Sequence, residues 1–395
     1  MSIPVFDRDN PAIDDLVKIA NADQGEHRNE ELFVPPRDNE EDLINDAAVE
    51  DEQEEEEFTP RLLNIGREIT KRAFSQPTTP PVSDAVIAVD AGVVNLGELA
   101  RGGTAFAVRG SAVCYPPNNA KPFICRYNTG ALVIDKQNQL FLFHYLGHRL
   151  GRDDKFVNIK RRPFEYSLKQ GITDTPNQIQ DRFRNFVERM IQEEAIAVLE
   201  SYGGGILLVD GALAGETYDT PKEYMDSLLN HCYQHRIHVV GISKKTRITV
   251  GGRTIANLFF EQPEFIGYAP LKDIIAQERQ EAAAKNQSLR SIEDLTIADE
   301  IYAVRFSYTP PGITYRTDVK PASGYPPYNI VEQVYDRCQI YGGYPRPLIE
   351  AHQYSSFLYQ DVQTLLVEVV VKHGVRPQEE PSMEVLFQPF GGGFK

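Results

Sequence analysis

Gly203-Gly204-Gly205-Ile206-Leu207-Leu208-Val209-Asp210-Gly211-Ala212-Leu213 joins three glycines to an unbroken aliphatic run and delivers an aspartate where that run stops. A continuous apolar run bounded by turn residues reads as a strand buried on both faces, as in a parallel or mixed sheet flanked by helices. Asp210 then falls at the carboxyl end of the strand, the edge at which open α/β sheets bind ligands. Gly211 lets the backbone turn sharply and approach a ligand closely. Ala85-Val86-Ile87-Ala88-Val89-Asp90-Ala91-Gly92 repeats the pattern. Two such strands side by side bring two carboxylates to one edge, where like charges are costly unless a cation holds them. Hard divalent cations are the natural occupants. A strand ending in Asp-Gly is also an ordinary turn signal, and it is the second copy that favours metal.

The sequence has 395 residues, 41% of them hydrophobic, which suffices for a sizeable core in one large α/β domain with appendages or in roughly two or three average domains. No apolar run approaches the ~18 residues of a membrane span, and the N-terminus lacks the basic start and apolar stretch of a signal peptide. The expectation is a cytoplasmic protein without membrane association. Cys114, Cys125, Cys232 and Cys338 form no CxxC pair, which argues against a zinc ribbon or a disulfide framework. His144 and His148, and His231 and His235, lie four apart. On a helix such a pair can share a metal. His144, however, sits in a strand-like segment, and ordinary side chains are the preferred reading of both pairs.

The net charge of −16 belongs to one segment. Residues 1–60 carry 20 acidic against 4 basic side chains, and residues 61–395 carry 37 of each sign. Blocks of like charge repel and rarely pack, so residues 1–60 are expected to be a largely disordered extension with one short helix near Ile13 to Ala20. It would serve solubility, or mimic nucleic-acid charge over a basic channel. Residues 61–82 read as a helix, Arg61 to Phe74, followed by a Pro-rich linker from Gln76 to Val82. After the Asp90 strand, Thr104 to Cys114, Lys121 to Tyr127, Ala131 to Asp135 and Gln139 to Leu146 read as an antiparallel meander.

Thr175-Pro176 opens a helix over about Asn177 to Ser201. Its wheel groups Phe183, Phe186, Val187, Met190, Ile191, Ala197 and Val198 on one arc, with Glu194 inside it and Glu193 at its edge. An acid turned toward the core needs a partner or a metal, so either is a candidate third ligand, whereas Glu200 reads as a surface acid. A helix from Pro221 to Gln234 leads into the strand Arg236 to Lys245. Lys244 and Lys245 then either meet phosphate at the same sheet edge or simply emerge into solvent. Leu271 to Leu289 reads as a surface helix and Glu300 to Tyr315 as strands. There Arg305, Tyr308, Tyr315 and Arg316 suit either a bound nucleic-acid strand or a half-exposed sheet. Gly343-Tyr344-Pro345-Arg346-Pro347-Leu348-Ile349-Glu350-Ala351-His352-Gln353 begins a long helix running to about Lys372, with His352 one or two turns in. Residues 376–395 are a tail.

The ordered set Asp90, Glu193, Asp210, Tyr344 and His352 resembles the NurA nuclease family over about residues 80–375. The matching features are the Asp-bearing strand, a helical Glu before a strand ending Asp-Gly-Ala-Leu, a strand ending Gly-Ile-Ser-Lys, and the closing Tyr-Pro…Leu-Ile-Glu-Ala-His. Ala91 between Asp90 and Gly92 and the acidic extension depart from the family pattern. The resemblance implies an α/β fold: a ribonuclease H-like mixed sheet flanked by helices, with additional β-rich and helical elements, over residues 83–375. It further implies a metal-dependent nuclease that cleaves single- and double-stranded DNA with bound Mn2+ or Mg2+, 5′-to-3′ with endonuclease activity. Such an enzyme acts in DNA end processing as a homodimer beside a HerA-type hexameric translocase. On this resemblance Asp90, Glu193 and Asp210 ligate metal, His352 is a further ligand or proton carrier, and Tyr344 orients the phosphate or water. Lys244, Lys245 and Arg346 would contact nucleic acid. The motif favours Glu193 where the helical wheel favours Glu194. Competing expectations are a non-catalytic DNA-binding or assembly subunit, and a metal-dependent ribonuclease or phosphatase.

Overall fold

The computed structural model describes residues 10–21, 30–34, 69–79, 81, 83, 85–100, 102–118, 120–135, 176–214, 222–244, 246, 248–285, 292–308 and 312–379. In chain order the strands are β1 Glu31–Val34, β2 Arg72–Ala73, β3 Val86–Leu99, β4 Thr104–Tyr115, β5 Phe123–Ile134, β6 Gly205–Asp210, β7 Ile237–Ser243, β8 Thr249–Val250 and β9 Arg253–Thr254. They continue with β10 Gly267–Pro270, β11 Glu300–Arg305, β12 Tyr315–Lys320, β13 Ile340–Tyr341, β14 Tyr344–Pro345 and β15 Arg376–Glu379. The helices are α1 Pro11–Ala20, α2 Pro176–Ser201, α3 Lys222–Gln234, α4 Lys272–Ala284, α5 Ile292–Leu295, α6 Pro327–Arg337, α7 Arg346–Ser355 and α8 Tyr359–His373.

Eleven strands form one mixed sheet in the order β15-β1-β3-β6-β7-β12-β11-β10-β2, with β4 added to β3 and β5 to β4. The aliphatic strands β3, β6 and β7 run parallel, and β4, β5 and β12 are antiparallel to their neighbours. Side chains alternate across the sheet, as the pleat requires. Ile87, Val89, Leu207, Val209 and Val239 enter a core with α1, α2 and α3. Val86, Ala88, Ile206, Leu208, Val240 and Ile242 enter a second core, which holds Ile330 and Val334 of α6 and Leu348 and Ala351 of α7. The near-continuous apolar runs seen in the sequence are therefore strands covered by helices on both faces. Among the described residues no helix is long and apolar enough to cross a membrane.

Several local expectations need correction. The acidic extension contributes to the fold: α1 buries Ala12, Ile13, Leu16 and Ala20, and β1 pairs with β3 and β15. Apolar spacing within α1, and its N-cap Asn10, whose side chain accepts from the Ala12 and Ile13 N–H groups, outweigh the surrounding charge. Of the expected helix from Arg61 to Phe74, the described part is extended, and Arg72–Ala73 pairs with β10. Phe74 there stacks on Tyr335 at a centroid distance of 3.9 Å. The segments Lys121 to Tyr127 and Ala131 to Asp135 are one strand, β5. The long closing helix is two, because Ser356 is extended and its carbonyl accepts from Arg109 at 2.9 Å. The tail begins with β15, parallel to β1. The expected strand Gln139 to Leu146, with His144 and His148, lies outside the described residues.

Candidate metal centre

The register fixes the core of the site. β3 and β6 pair in parallel from Val86↔Ile206 to Val89↔Val209, so Asp90 and Asp210 are the next residues on each strand. By the period of two, both side chains fall on the face of Val86, Ala88, Ile206 and Leu208, the face that α7 covers. β3 does not end there, however: it continues through Leu99 against β4, so Asp90 lies mid-strand at the point where β6 stops. Gly211, with φ 116°, turns the chain out of β6, and its N–H donates to the Ile242 carbonyl at 3.0 Å.

α7 supplies the third member. Asp90 Oδ2 accepts from Ser355 Oγ at 2.9 Å and meets His352 Nδ1 at 3.0 Å, while Oδ1 accepts from the Ala91 N–H at 2.8 Å. A carboxylate only accepts, so Nδ1 carries a proton, and in the neutral ring Nε2 keeps a lone pair. α7 can lie this close because Gly92 has no side chain: a Cβ there would sit 2.8 Å from the Ser355 carbonyl oxygen. Ser111 Oγ donates to the Ala351 carbonyl at 2.6 Å and fixes the same helix to β4.

Asp210 is held from the other side. Lys244 Nζ lies 2.6 Å from its Oδ2, and the Tyr344 hydroxyl is 3.1 Å from its Oδ1 and 3.0 Å from the Ile242 carbonyl. The Lys244 ammonium also lies over the Tyr344 ring, 5.2 Å from its centroid. Ligand atoms of Asp90, Asp210 and His352 all lie within 4.8 Å of one another.

The electrostatics separate the two acids. Burial pushes the Asp90 carboxyl up, but the hydrogen bond and charge of His352, the Ser355 hydroxyl and Lys244 outweigh it and hold Asp90 below its ordinary value. Burial and the Asp90 charge push Asp210 up, against the pull of Lys244. The Asp90 hydrogen bond raises His352. Burial, with the charge and hydrogen bond of Asp210, lifts Tyr344 well above its usual value, so its hydroxyl is a donor and not a base.

The structure does not bring Glu193 or Glu194 into this cluster. Glu193 Oε1 accepts from the Tyr224 hydroxyl of α3 at 2.5 Å. Glu194 accepts from Asn10 and Tyr127, tying α1 to α2. Glu188 of α2 is buried, with a carboxyl pushed up by burial and by the charges of Asp90 and Asp210 against Arg189 and Arg184. Nothing in its local motif marks Glu188; its height along the helix does. α2 runs back toward the start of β6, so an acid level with Asp210 must precede Glu200 by about the length of β6. Twelve residues of helix rise ~18 Å and the five steps from Gly205 to Asp210 ~17 Å, so Glu188 lies nearer the level of Asp210 than Glu193 does.

Arg346 is engaged by Glu350 at 2.8 Å and Gln339 at 2.9 Å, and Lys245 lies outside the described residues. Arg305 and Arg316 are buried and do not offer a nucleic-acid surface. Arg316 pairs with Asp318 at 2.8 Å, and Arg305 donates to the Gln262 carbonyl.

No family model matches the sequence, and none of the curated proteins compared with it matches. Solved structures to which the chain is similar include nucleases of the NurA family that the sequence resembles. The NurA nuclease from Sulfolobus solfataricus is 14% identical, with 84% of this chain and 94% of that one covered and a TM-score of 0.35. NurA with manganese is 12% identical over 84% and 96%, with a TM-score of 0.32. An endonuclease V from Bacillus subtilis is 10% identical over 76% and 88%, with a TM-score of 0.34. At such identities and TM-scores the reading of the site rests on its own geometry.

Proposed function

We propose that the chain is a metal-dependent phosphodiesterase acting on DNA, built on a ribonuclease H-like arrangement in which the β3–β4–β5 meander is extended by parallel β6 and β7. The observation that carries this reading is the convergence of Asp90, Asp210 and His352 at one sheet edge. Their donor set fits a hard divalent cation, Mn2+ or Mg2+, and the cation that the structure does place there, the Lys244 ammonium, binds Asp210. Asp90, Asp210 and His352 would hold the ion, and Glu188 is a buried acid whose carboxyl the two aspartates push up. A bound ion of this kind supplies a Lewis acid for the phosphodiester and lowers the pKa of a coordinated water.

The chain's own residues set the rest. Ser355 and Ala91 orient Asp90, and Tyr344 orients Asp210. His352, about half exposed, presents Nε2 for a ligand bond or a proton. Lys244, partly exposed, would be placed to contact a phosphate oxygen were an ion to take over the neutralisation of Asp210. Cleavage polarity, a HerA-type translocase partner, a homodimeric state and a role in DNA end processing enter the proposal from the sequence resemblance alone.

The Lys244–Asp210 bond also favours a second reading, in which the ammonium permanently neutralises the carboxylate and the chain is a non-catalytic subunit. End-labelled single- and double-stranded DNA, RNA and a small phosphate ester, each incubated with Mn2+, Mg2+ or chelator, separate the two. Metal-dependent cutting of DNA supports the nuclease, preferential cutting of RNA or the ester moves the substrate class, and no cutting of any substrate supports the subunit.

A further inference from the structure

A second cluster lies at the other end of the same sheet. Ligand atoms of Glu200, His231 and His235 all fall within 4.8 Å of one another. Glu200 is in the last turn of α2 and His231 in the last turn of α3, the helices that hand the chain to β6 and β7. The His235 N–H donates to the His231 carbonyl at 3.0 Å, continuing the helical pattern and placing both rings on one face. The rings stack with centroids 4.0 Å apart.

The hydrogen bonds prepare the donors. His235 Nδ1 donates to the His231 carbonyl at 2.9 Å, so in the neutral ring Nε2 keeps its lone pair, the outer-sphere arrangement of metal-bound histidines. His231 Nε2 faces Glu200 Oε1, so an arriving ion would displace the proton shared between them. Two imidazoles and one carboxylate are the donor set of a borderline transition ion with one position left open, unlike the carboxylate-rich edge at Asp90 and Asp210. β6 separates the clusters by ~17 Å, so one ion cannot serve both. His235 is exposed, which gives an ion a path of entry, whereas the intervening Cys232 points into the core.

We propose that Glu200, His231 and His235 form a second metal site, for Zn2+ or a similar borderline divalent ion, that pins the end of α2 to the end of α3. The test uses the full chain carrying Asp90→Asn and Asp210→Asn, which removes the other carboxylates, titrated with Co2+ and then Zn2+. Ligand-field absorption and calorimetry report binding. The expected result is one equivalent of Co2+, displaced by Zn2+. His235→Gln, at an exposed position, and Glu200→Gln should each weaken binding by more than the ~10–100-fold that loss of an outer-sphere partner costs. Zn2+ should raise the melting temperature of the parent and not of His235→Gln. No stoichiometric binding, or equal affinity in parent and both variants, would overturn the proposal. Should the double aspartate variant fail to fold, the same titrations on the unmodified chain in excess Mg2+ distinguish the same outcomes.

Discussion

Asp90 and Asp210 occupy equivalent positions on two parallel strands, each one residue beyond the last pair, Val89↔Val209. Their side chains share a face with α7, and that helix completes the cluster with His352 and Ser355. A buried and a half-buried carboxylate at one edge repel, and the structure answers the repulsion with a lysine, a protonated imidazole nitrogen and two hydroxyls. A divalent cation would answer it more completely.

Glu188, not Glu193, is predicted to be the acid of α2 that matters to cleavage. Glu188→Gln should lower Mn2+-dependent cutting by at least about 100-fold, with a change in stability of no more than about 1 kcal/mol, since Gln192 and Arg189 remain as neighbours. Glu193→Gln should leave cutting within about threefold of the parent. Rates of both variants at saturating Mn2+ check this, and the reverse ranking would restore the motif-based choice of Glu193.

Tyr344→Phe keeps the ring that packs against Tyr315 and removes the hydroxyl facing Asp210. The Ile242 carbonyl keeps the Gly211 N–H as a donor, so the stability cost should stay near ~1 kcal/mol. A fall of about tenfold or more in kcat with little change in KM is expected if the hydroxyl orients Asp210 for the chemical step. A change in KM with none in kcat would assign Tyr344 to substrate binding instead.

The acidic N-terminal segment is predicted to be structural where α1 packs. Leu16 is fully buried, and Leu16→Ala should cost about 2–5 kcal/mol in urea unfolding. A cost below about 0.5 kcal/mol, the level of a surface change, would mean that α1 is dispensable.

Stability should fall between neutral and mildly acid pH because of His238. Its Nδ1 accepts from the Ala322 N–H at 2.9 Å, so only the neutral ring fits, and burial with the Arg236 charge lowers its pKa from 6.5 to about 4. Below 6.5 the unfolded chain binds a proton that the folded chain refuses. The contribution is therefore complete above pH 6.5 and lost as pH drops toward 4, at most about 3 kcal/mol. His238→Gln keeps an acceptor for Ala322 and should show a smaller loss between about pH 7 and pH 4.5; equal losses would place the titration elsewhere.

Much of this arrangement was legible in the sequence, for reasons that differ by residue. The strands bearing Asp90 and Asp210 are apolar on both faces, a signal that survives without knowing their partners, and the Tyr344-to-His352 spacing is local to one turn and one helix. Glu188 was not legible from its motif, because its nearness to the level of Asp210 depends on the height of α2 against β6, which is a property of two elements packed together. The helix wheel put Ala197 on the buried arc, where it is exposed, and Glu194 is half-buried like Glu193, with Asn10 and Tyr127 rather than a metal engaging it. The packing of α1 and β1 was hidden by the charge around them, since net charge averages over a segment while burial is decided by Leu16, Leu32 and their neighbours. The break between α7 and α8 depends on Arg109, far away in the chain.

The central claim is that the Asp90–Asp210 edge holds the ion that drives DNA cleavage. Its most direct test is cutting of end-labelled DNA in Mn2+ by the unmodified chain and by Asp210→Asn, with Mn2+ binding followed on the same samples. Metal-dependent cutting by the parent is expected, with loss of both cutting and tight Mn2+ binding in the variant. Cutting that persists in Asp210→Asn at the parent's rate would contradict the claim.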